Sequence, residues 1–227
     1  MRVALIDTGA GNLHSVAKAL AAAGVAAERV RDPERAVGAA ALVLPGQGHF
    51  GQVMHAFRAS GFEAVVRGHL AAGRPLLGIC VGLQLLTEGS EEAPGVAGLG
   101  LLRGRVVRFP AGGVSVPHMG WNALRPFGAS PLLDGVHSGD HAYFAHSYFV
   151  AFDDDASGGA WGGRGAAAPS GGAWTEHGDR RFLSAVSLGQ VHATQFHPEK
   201  SQRVGLRVLA NFARVVDAVA PLGDATA

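Results

Sequence analysis

The stretch that most constrains this chain is Pro75-Leu-Leu-Gly-Ile-Cys-Val-Gly-Leu-Gln-Leu-Leu86. An apolar run, Arg74 to Cys80, has the character of a buried strand. Helical character begins at once, from Val81 to Thr87, with no loop residue between. A strand can double directly into a helix only through a tight turn where bulky neighbours would collide, and Gly78 and Gly82 flank that turn. Gly-x-Cys-x-Gly in this setting has the form of a nucleophile elbow with sulfur replacing oxygen. The helix N-terminus beyond it favours negative charge and offers the Val81 N–H to a developing oxyanion. A small buried hydrophobe is an equally good reading of Cys80 from these residues alone.

The surrounding pattern is that of an α/β protein. Arg2 to Asp7 reads as a short buried strand, and Leu13 to Gly24 as a helix stopped by glycine. VAAERV suits an edge strand, and Ala41 to Gly46 is a strand ended by Pro45-Gly46. FGQVMHAFRAS and FEAVVRGHLAAG form one broken helix or two. Strands alternating with helices imply a parallel sheet covered on both faces. The second part is richer in strands: LLRGRVVRF, GVSVPHMGW, HAYFAHSYFV, RFLSAVSL and VHATQF are candidates, and a last helix starts near Ser201. The expectation is a single α/β domain with a central mixed, mostly parallel sheet flanked by helices. Residues 156–173 are nearly all Gly, Ala, Ser and Pro, and read as a flexible surface insertion.

Charge and cysteine usage narrow the function classes. A formal net charge of +1 and the absence of a basic run give no argument for nucleic acid or a membrane surface. The apolar run before Asp7 is too short for a signal peptide, and no stretch approaches a membrane span. Cys80 is the only cysteine among 227 residues, so no internal disulfide forms. The expectation is a soluble, cytoplasmic protein.

A thiol nucleophile needs a base, and the base an orienting acceptor. Gln195 to Ser201, QFHPEKS, follows the apolar strand VHATQF and offers His197 with Glu199 two residues on. Strand ends in an α/β sheet gather side chains from distant sequence, which would bring His197 to Cys80 with Glu199 on its far ring nitrogen. Pro45 to Phe50, PGQGHF, ends another strand, and its glycines let backbone N–H groups approach a ligand; an ordinary strand-to-helix turn explains them too.

Together these segments resemble the class I glutamine amidotransferases, over most of the chain. Within that family they are most similar to the glutaminase subunits of imidazole glycerol phosphate synthase. The narrower likeness rests on Asp7-Thr-Gly-Ala-Gly-Asn-Leu-His-Ser15, PGQGHF, GICVGLQLL, Val116-Pro-His-Met-Gly-Trp-Asn122, Tyr143-Phe-Ala-His-Ser-Tyr148 and QFHPEKS. The resemblance implies a flavodoxin-like core and one amidotransferase domain over residues 1–227. It implies that Cys80 attacks the glutamine side-chain amide, that His197 relays the proton, and that Glu199 fixes the imidazole. Backbone N–H groups around Gly46, Gln47 and Gly48, with that of Val81, would hold the oxyanion. Gln84, Ser147 and Tyr148 would hold substrate. The implied partner is a (β/α)8-barrel cyclase subunit in a heterodimer. Ammonia passed to it would give imidazole glycerol phosphate and an aminoimidazole carboxamide ribotide. Asn12, Pro117, His118, Met119 and Trp121 would face that partner. No cofactor and no metal are implied.

The sequence departs from the family pattern at Thr8, usually tyrosine, at Gln47, usually apolar, and in the insertion between Phe152 and Trp174. Gly9-Ala-Gly11 follows a strand, but His14 stands where a dinucleotide fingerprint needs its third glycine. His137, His141 and His146 show no recognised metal-ligand spacing. A non-catalytic subunit that keeps only the fold is the alternative of another class, and intact Cys80, His197 and Glu199 weigh against it. A glutaminase serving a synthase of anthranilate or pyridoxal phosphate is the alternative among enzymes, and VPHMGWN weighs against that.

Overall fold

The computed structural model describes residues 2–9, 11–151 and 169–219. Four wholly buried strands begin the architecture, three of them rich in Val, Leu and Ile. They are β1 (Val3–Ile6), β3 (Ala41–Gly46), β4 (Leu76–Cys80) and, from the far end of the chain, β13 (Val191–Thr194). With β2 (Ala27–Val30) at the edge they run parallel in the order β2-β1-β3-β4-β13. That is the doubly wound, flavodoxin-like arrangement. Three antiparallel strands extend the sheet beyond β13: β12 (Arg180–Leu188), β11 (Gly171–His177) and β8 (Arg125–Gly128). The sheet is therefore mixed and mostly parallel, as expected.

Helices α1 (Leu13–Ala22) and α5 (Gln202–Val219) pack on one another, and α2 (Phe50–Ala59) packs on α3 (Phe62–Ala71) and on α4 (Val81–Leu85). The helical segment after β3 resolves as two helices, broken at Ser60-Gly61, where Gly61 takes φ +80°. No helix among the described residues is long and apolar enough to cross a membrane.

Two small sheets stand beside the large one. Strands β10 (Tyr148–Val150), β6 (Arg105–Arg108) and β5 (Gly89–Ser90) form one; β7 (His118–Ala123) and β9 (His141–His146) form an antiparallel ladder. HAYFAHSYFV, expected as one strand, is thus two. The chain leaves one sheet at His146 and joins another at Tyr148, with only Ser147 between.

Strand β11 corrects the boundary of the Gly/Ala-rich segment. Gly171, Gly172 and Ala173 are buried sheet residues paired to β8 and β12. Their smallness is a packing requirement: a β-carbon at Gly171 would stand 2.5 Å from the Ala129 carbonyl carbon, and one at Gly172 would overlap the Ala185 carbonyl oxygen. Residues 156–168 of the expected insertion lie outside the described residues.

Candidate active site

The elbow has the geometry its glycines suggest. Cys80 ends β4 with φ +56° and ψ −110°, a left-handed conformation that costs a non-glycine residue on the order of 1–3 kcal/mol. The turn folds α4 back onto the sheet so closely that a β-carbon at Gly78 would lie 3.0 Å from the Gly82 carbonyl carbon. One at Gly82 would overlap the Leu44 carbonyl oxygen, and one at Gly46 would press on Val81 Cβ at 2.9 Å. The sulfur is held at this corner, 3% exposed.

Register brings the base to it. Thr194 of β13 pairs with Ile79 of β4, so the residues after Thr194 emerge beside Cys80. Gln195 donates from Nε2 to Cys80 Sγ at 3.7 Å. His197 lines the same cleft as Cys80, and its Nδ1 lies 2.8 Å from Glu199 Oε1. The His197 backbone is pinned on both sides: its N–H donates to the Tyr143 carbonyl at 2.9 Å, and its carbonyl accepts from Ser201 Oγ at 2.7 Å. The side chains of His197 and Glu199 are 3% and 2% exposed, and Glu199 Oε2 is buried with no hydrogen-bond partner. Burial opposes charge on the imidazole, but its interactions with Cys80 and Glu199, and the charge on both, outweigh it. The His197 pKa is raised to about 10. A buried imidazolium requires a counter-charge, and the Glu199 carboxylate supplies one at Nδ1.

Cys80 and His197 open onto a cleft of about 340 Å³, a size suited to a small molecule, with Glu199 behind the imidazole. Of the residues expected to hold substrate, Gln47, Gly48, Val81, Gln84, Ser147 and Tyr148 line it. Gly46 lies one step back, as the cross-strand partner of Cys80. Gln84 spends its amide N–H groups on the Tyr148 carbonyl (2.9 Å) and Gln195 Oε1 (3.1 Å), which leaves only its oxygen for a ligand.

Of the segments expected to face a partner, Pro117 and Met119 line the mouth of the cleft. Met119 and Trp121 are large and exposed, 63% and 47%. His118 turns inward instead. Alternation along β7 sends it to the opposite face from Met119, and it is buried against Phe144 and His177. Asn12 is exposed and caps α1, accepting from the Ser15 N–H at 3.2 Å.

Sequence reasoning missed Glu92, Lys200, His146 and Gln195. Glu92 and Lys200 line the cleft, and Glu92 accepts from the Phe50 N–H at 2.7 Å, anchoring the start of α2 beside the Gln47–Gly48 turn. Their signal is tertiary only. His137 and His141 are exposed and His146 is buried. Among the described residues no group of three His, Cys, Asp or Glu is arranged to hold a metal ion.

The chain is matched over residues 4–216 by the model of the glutamine amidotransferase class-I family. It is 51% identical to the "Imidazole glycerol phosphate synthase subunit HisH" of Deinococcus radiodurans, covering 93% of each chain. It is 50% identical to the subunit of the same name from Thermus thermophilus, covering 92% of this chain and 96% of that one. It is 45% identical to that from Thermococcus kodakarensis, covering 94% and 100%. Among solved structures, a glutamine amidotransferase superimposes with a TM-score of 0.66 at 23% identity, covering 96% of this chain and 97% of that one. A chain of the PurLQS structure from Thermotoga maritima gives 0.69 at 17%, covering 95% and 98%. These two likenesses speak to the fold.

Proposed function

We propose a function from one premise: this chain belongs to the class-I glutamine amidotransferase family. It is the glutaminase subunit of an imidazole glycerol phosphate synthase, hydrolysing glutamine to glutamate and ammonia in histidine biosynthesis. The relatives named above, at 45–51% identity, support that assignment.

The chemistry we assign to the site runs as follows. Cys80 attacks the side-chain amide carbon of glutamine as the thiolate, with the proton on His197. Negative charge develops on the amide oxygen. The Val81 N–H, at the start of α4, and the backbone of the Gly46–Gly48 turn are the donors nearest the sulfur by register. The tetrahedral adduct collapses, the C–N bond breaks, and His197 gives its proton to the departing nitrogen, which leaves as ammonia. His197 then takes a proton from water as the water attacks the γ-glutamyl thioester. Glutamate leaves, and the proton returns to the cysteine–histidine pair. Glu199 holds Nδ1 throughout, so Nε2 faces the sulfur.

Ammonia is mostly protonated at neutral pH and would be lost to solvent. We assign the face bearing Pro117, Met119 and Trp121 to docking of a (β/α)8-barrel cyclase in a cytoplasmic heterodimer, with ammonia delivered across that interface. Exposed apolar side chains at the mouth of the cleft support this.

The observation that carries the reading is the meeting of Cys80 and His197 at the ends of adjacent parallel strands, 117 residues apart in sequence. The test is the Cys80→Ala variant assembled with the cyclase and its nucleotide substrate. Glutamine-dependent product formation is expected to vanish while ammonia-dependent formation persists. Glutamine hydrolysis at the wild-type rate in that variant overturns the assignment.

A further inference from the structure

We propose that His118 and His146 are positioning residues, which lock the Ser147–Tyr148 corner of the glutamine cleft through a one-directional chain of hydrogen bonds that starts on the inner face of β7. The inference rests on the glutaminase reading above.

The chain is fixed by chemistry from one end. His146 Nδ1 lies 2.8 Å from the Tyr148 carbonyl, which can only accept, so Nδ1 carries the proton. In the neutral ring Nε2 must then accept, and its partner at 3.1 Å is His118 Nδ1, which therefore donates. His118 Nε2 must accept in turn, and the Asn122 amide N–H group, at 3.1 Å, supplies that bond. The second proton of the same amide goes to the Glu176 carbonyl at 2.8 Å. No member can reverse without stranding a buried polar atom.

The fold places these groups deliberately. His118 and His146 are direct cross-strand partners in the β7–β9 ladder, with ring centroids 5.1 Å apart. Phe109, Phe144 and Phe182 surround both rings and exclude water. Burial pushes the pKa of His118 down to about 4 and of His146 to about 3, with neighbouring imidazoles adding to it. Both rings are neutral at physiological pH, as the one-directional chain requires.

The receiving end is functional. The Tyr148 carbonyl accepts from both His146 and Gln84, and Gln84 also holds Gln195, which touches Cys80 Sγ. Ser147 is the single residue joining two different sheets; its own carbonyl accepts from the Phe109 N–H at 3.1 Å, and the bond from His146 fixes the next carbonyl, that of Tyr148. At the other end, Asn122 shares the inner face of β7 with His118, opposite Met119 and Trp121, and its amide ties the chain to Glu176 of β11. The chain thus runs from β11 through β7 and β9 to the substrate wall.

The test uses the assembled complex with the cyclase. His118→Phe keeps the ring packing and removes both nitrogens; Asn122→Asp replaces a two-proton donor with an acceptor. Each is expected to raise the KM for glutamine about tenfold, with kcat changed less than about threefold and ammonia-dependent turnover unaltered. The double variant should be no worse than His118→Phe, because both act through one chain. A merely structural role would lower the folded fraction, hence kcat, at unchanged KM. Unchanged KM in both variants, or effects that multiply in the double variant, overturns the proposal. If His118→Phe does not fold, the KM of Asn122→Asp decides alone. Hydrolysis by the wild-type complex with unaltered variants overturns only this inference; no hydrolysis by the wild-type complex overturns the glutaminase reading and this one with it.

Discussion

Gly46 is the cross-strand partner of Cys80, so the turn that follows β3 leaves the sheet directly beside the sulfur. The proposed oxyanion donors and the nucleophile are neighbours by strand register, and the missing β-carbon at Gly46 lets Val81 close the gap. A site fixed by register tolerates change in surface loops and punishes change at the elbow.

Gly82→Ala is the sharpest probe of that elbow. The added methyl overlaps the Leu44 carbonyl oxygen, so β3 and α4 must part. A loss of about 2–4 kcal/mol is expected from forced separation of packed backbone. Thermal unfolding should show it, and glutamine hydrolysis should fall even in the fraction that stays folded.

Glu199→Gln tests the orienting carboxylate. The amide keeps the shape but removes the charge that helps hold the His197 pKa near 10. We expect kcat for glutamine to fall about 10²–10⁴-fold, with a small change in KM. Titration of the His197 ring by NMR should show its pKa falling from the wild-type value. An unmoved pKa would contradict the role.

Stability should peak near neutral pH. His118, His146 and His192 are buried with pKa values pushed down to about 4, 3 and 4, chiefly by burial, so the unfolded chain binds their protons more readily. Folding stability is therefore lost as pH falls from about 6.5 toward 4, at about 1 kcal/mol per pH unit for each histidine. The raised His197 acts oppositely: its contribution is complete below about 6.5 and lost as pH rises toward 10. Melting temperatures across pH 4–10 check both limbs, and substituting His192 with phenylalanine should flatten the acid limb.

Trp121→Ala removes a large exposed side chain that packs edge-on to Tyr143 and covers no core. The isolated chain should melt within about 0.5 kcal/mol of wild type. Affinity for the cyclase should fall roughly 10- to 100-fold, the usual effect of truncating a central aromatic anchor. Calorimetric titration of the two subunits measures it, and unaltered affinity would move the docking face elsewhere.

The elbow was legible because its cause is local. Gly78, Cys80 and Gly82 carry the steric demand of the turn in five consecutive letters. Strands β1, β3 and β4 of the parallel core were legible because they are buried on both faces and read as apolar runs. What stayed hidden depends on distant neighbours. Strand β11 opens on Gly171-Gly172, letters that read as loop until Ala129 and Ala185 are seen pressing on them. Strand β8 carries Pro126, tolerated because β8 is an edge. The split of HAYFAHSYFV at Ser147 follows from two separate pairings, with β7 and with β6, that no local pattern encodes. Gln195 carried no sequence signal of its own within QFHPEKS, and it touches the sulfur.

Strand β13 lies between β4 and β12, in the interior of the sheet, although it is the last strand in sequence among the described residues. A ribosome must therefore deliver every strand from β1 to β12 before the middle of the sheet can close. Until then the thiol has no imidazole beside it. A nascent or truncated chain that lacks β13 lacks the proposed reactive pair, which is assembled by the same late insertion that completes the fold.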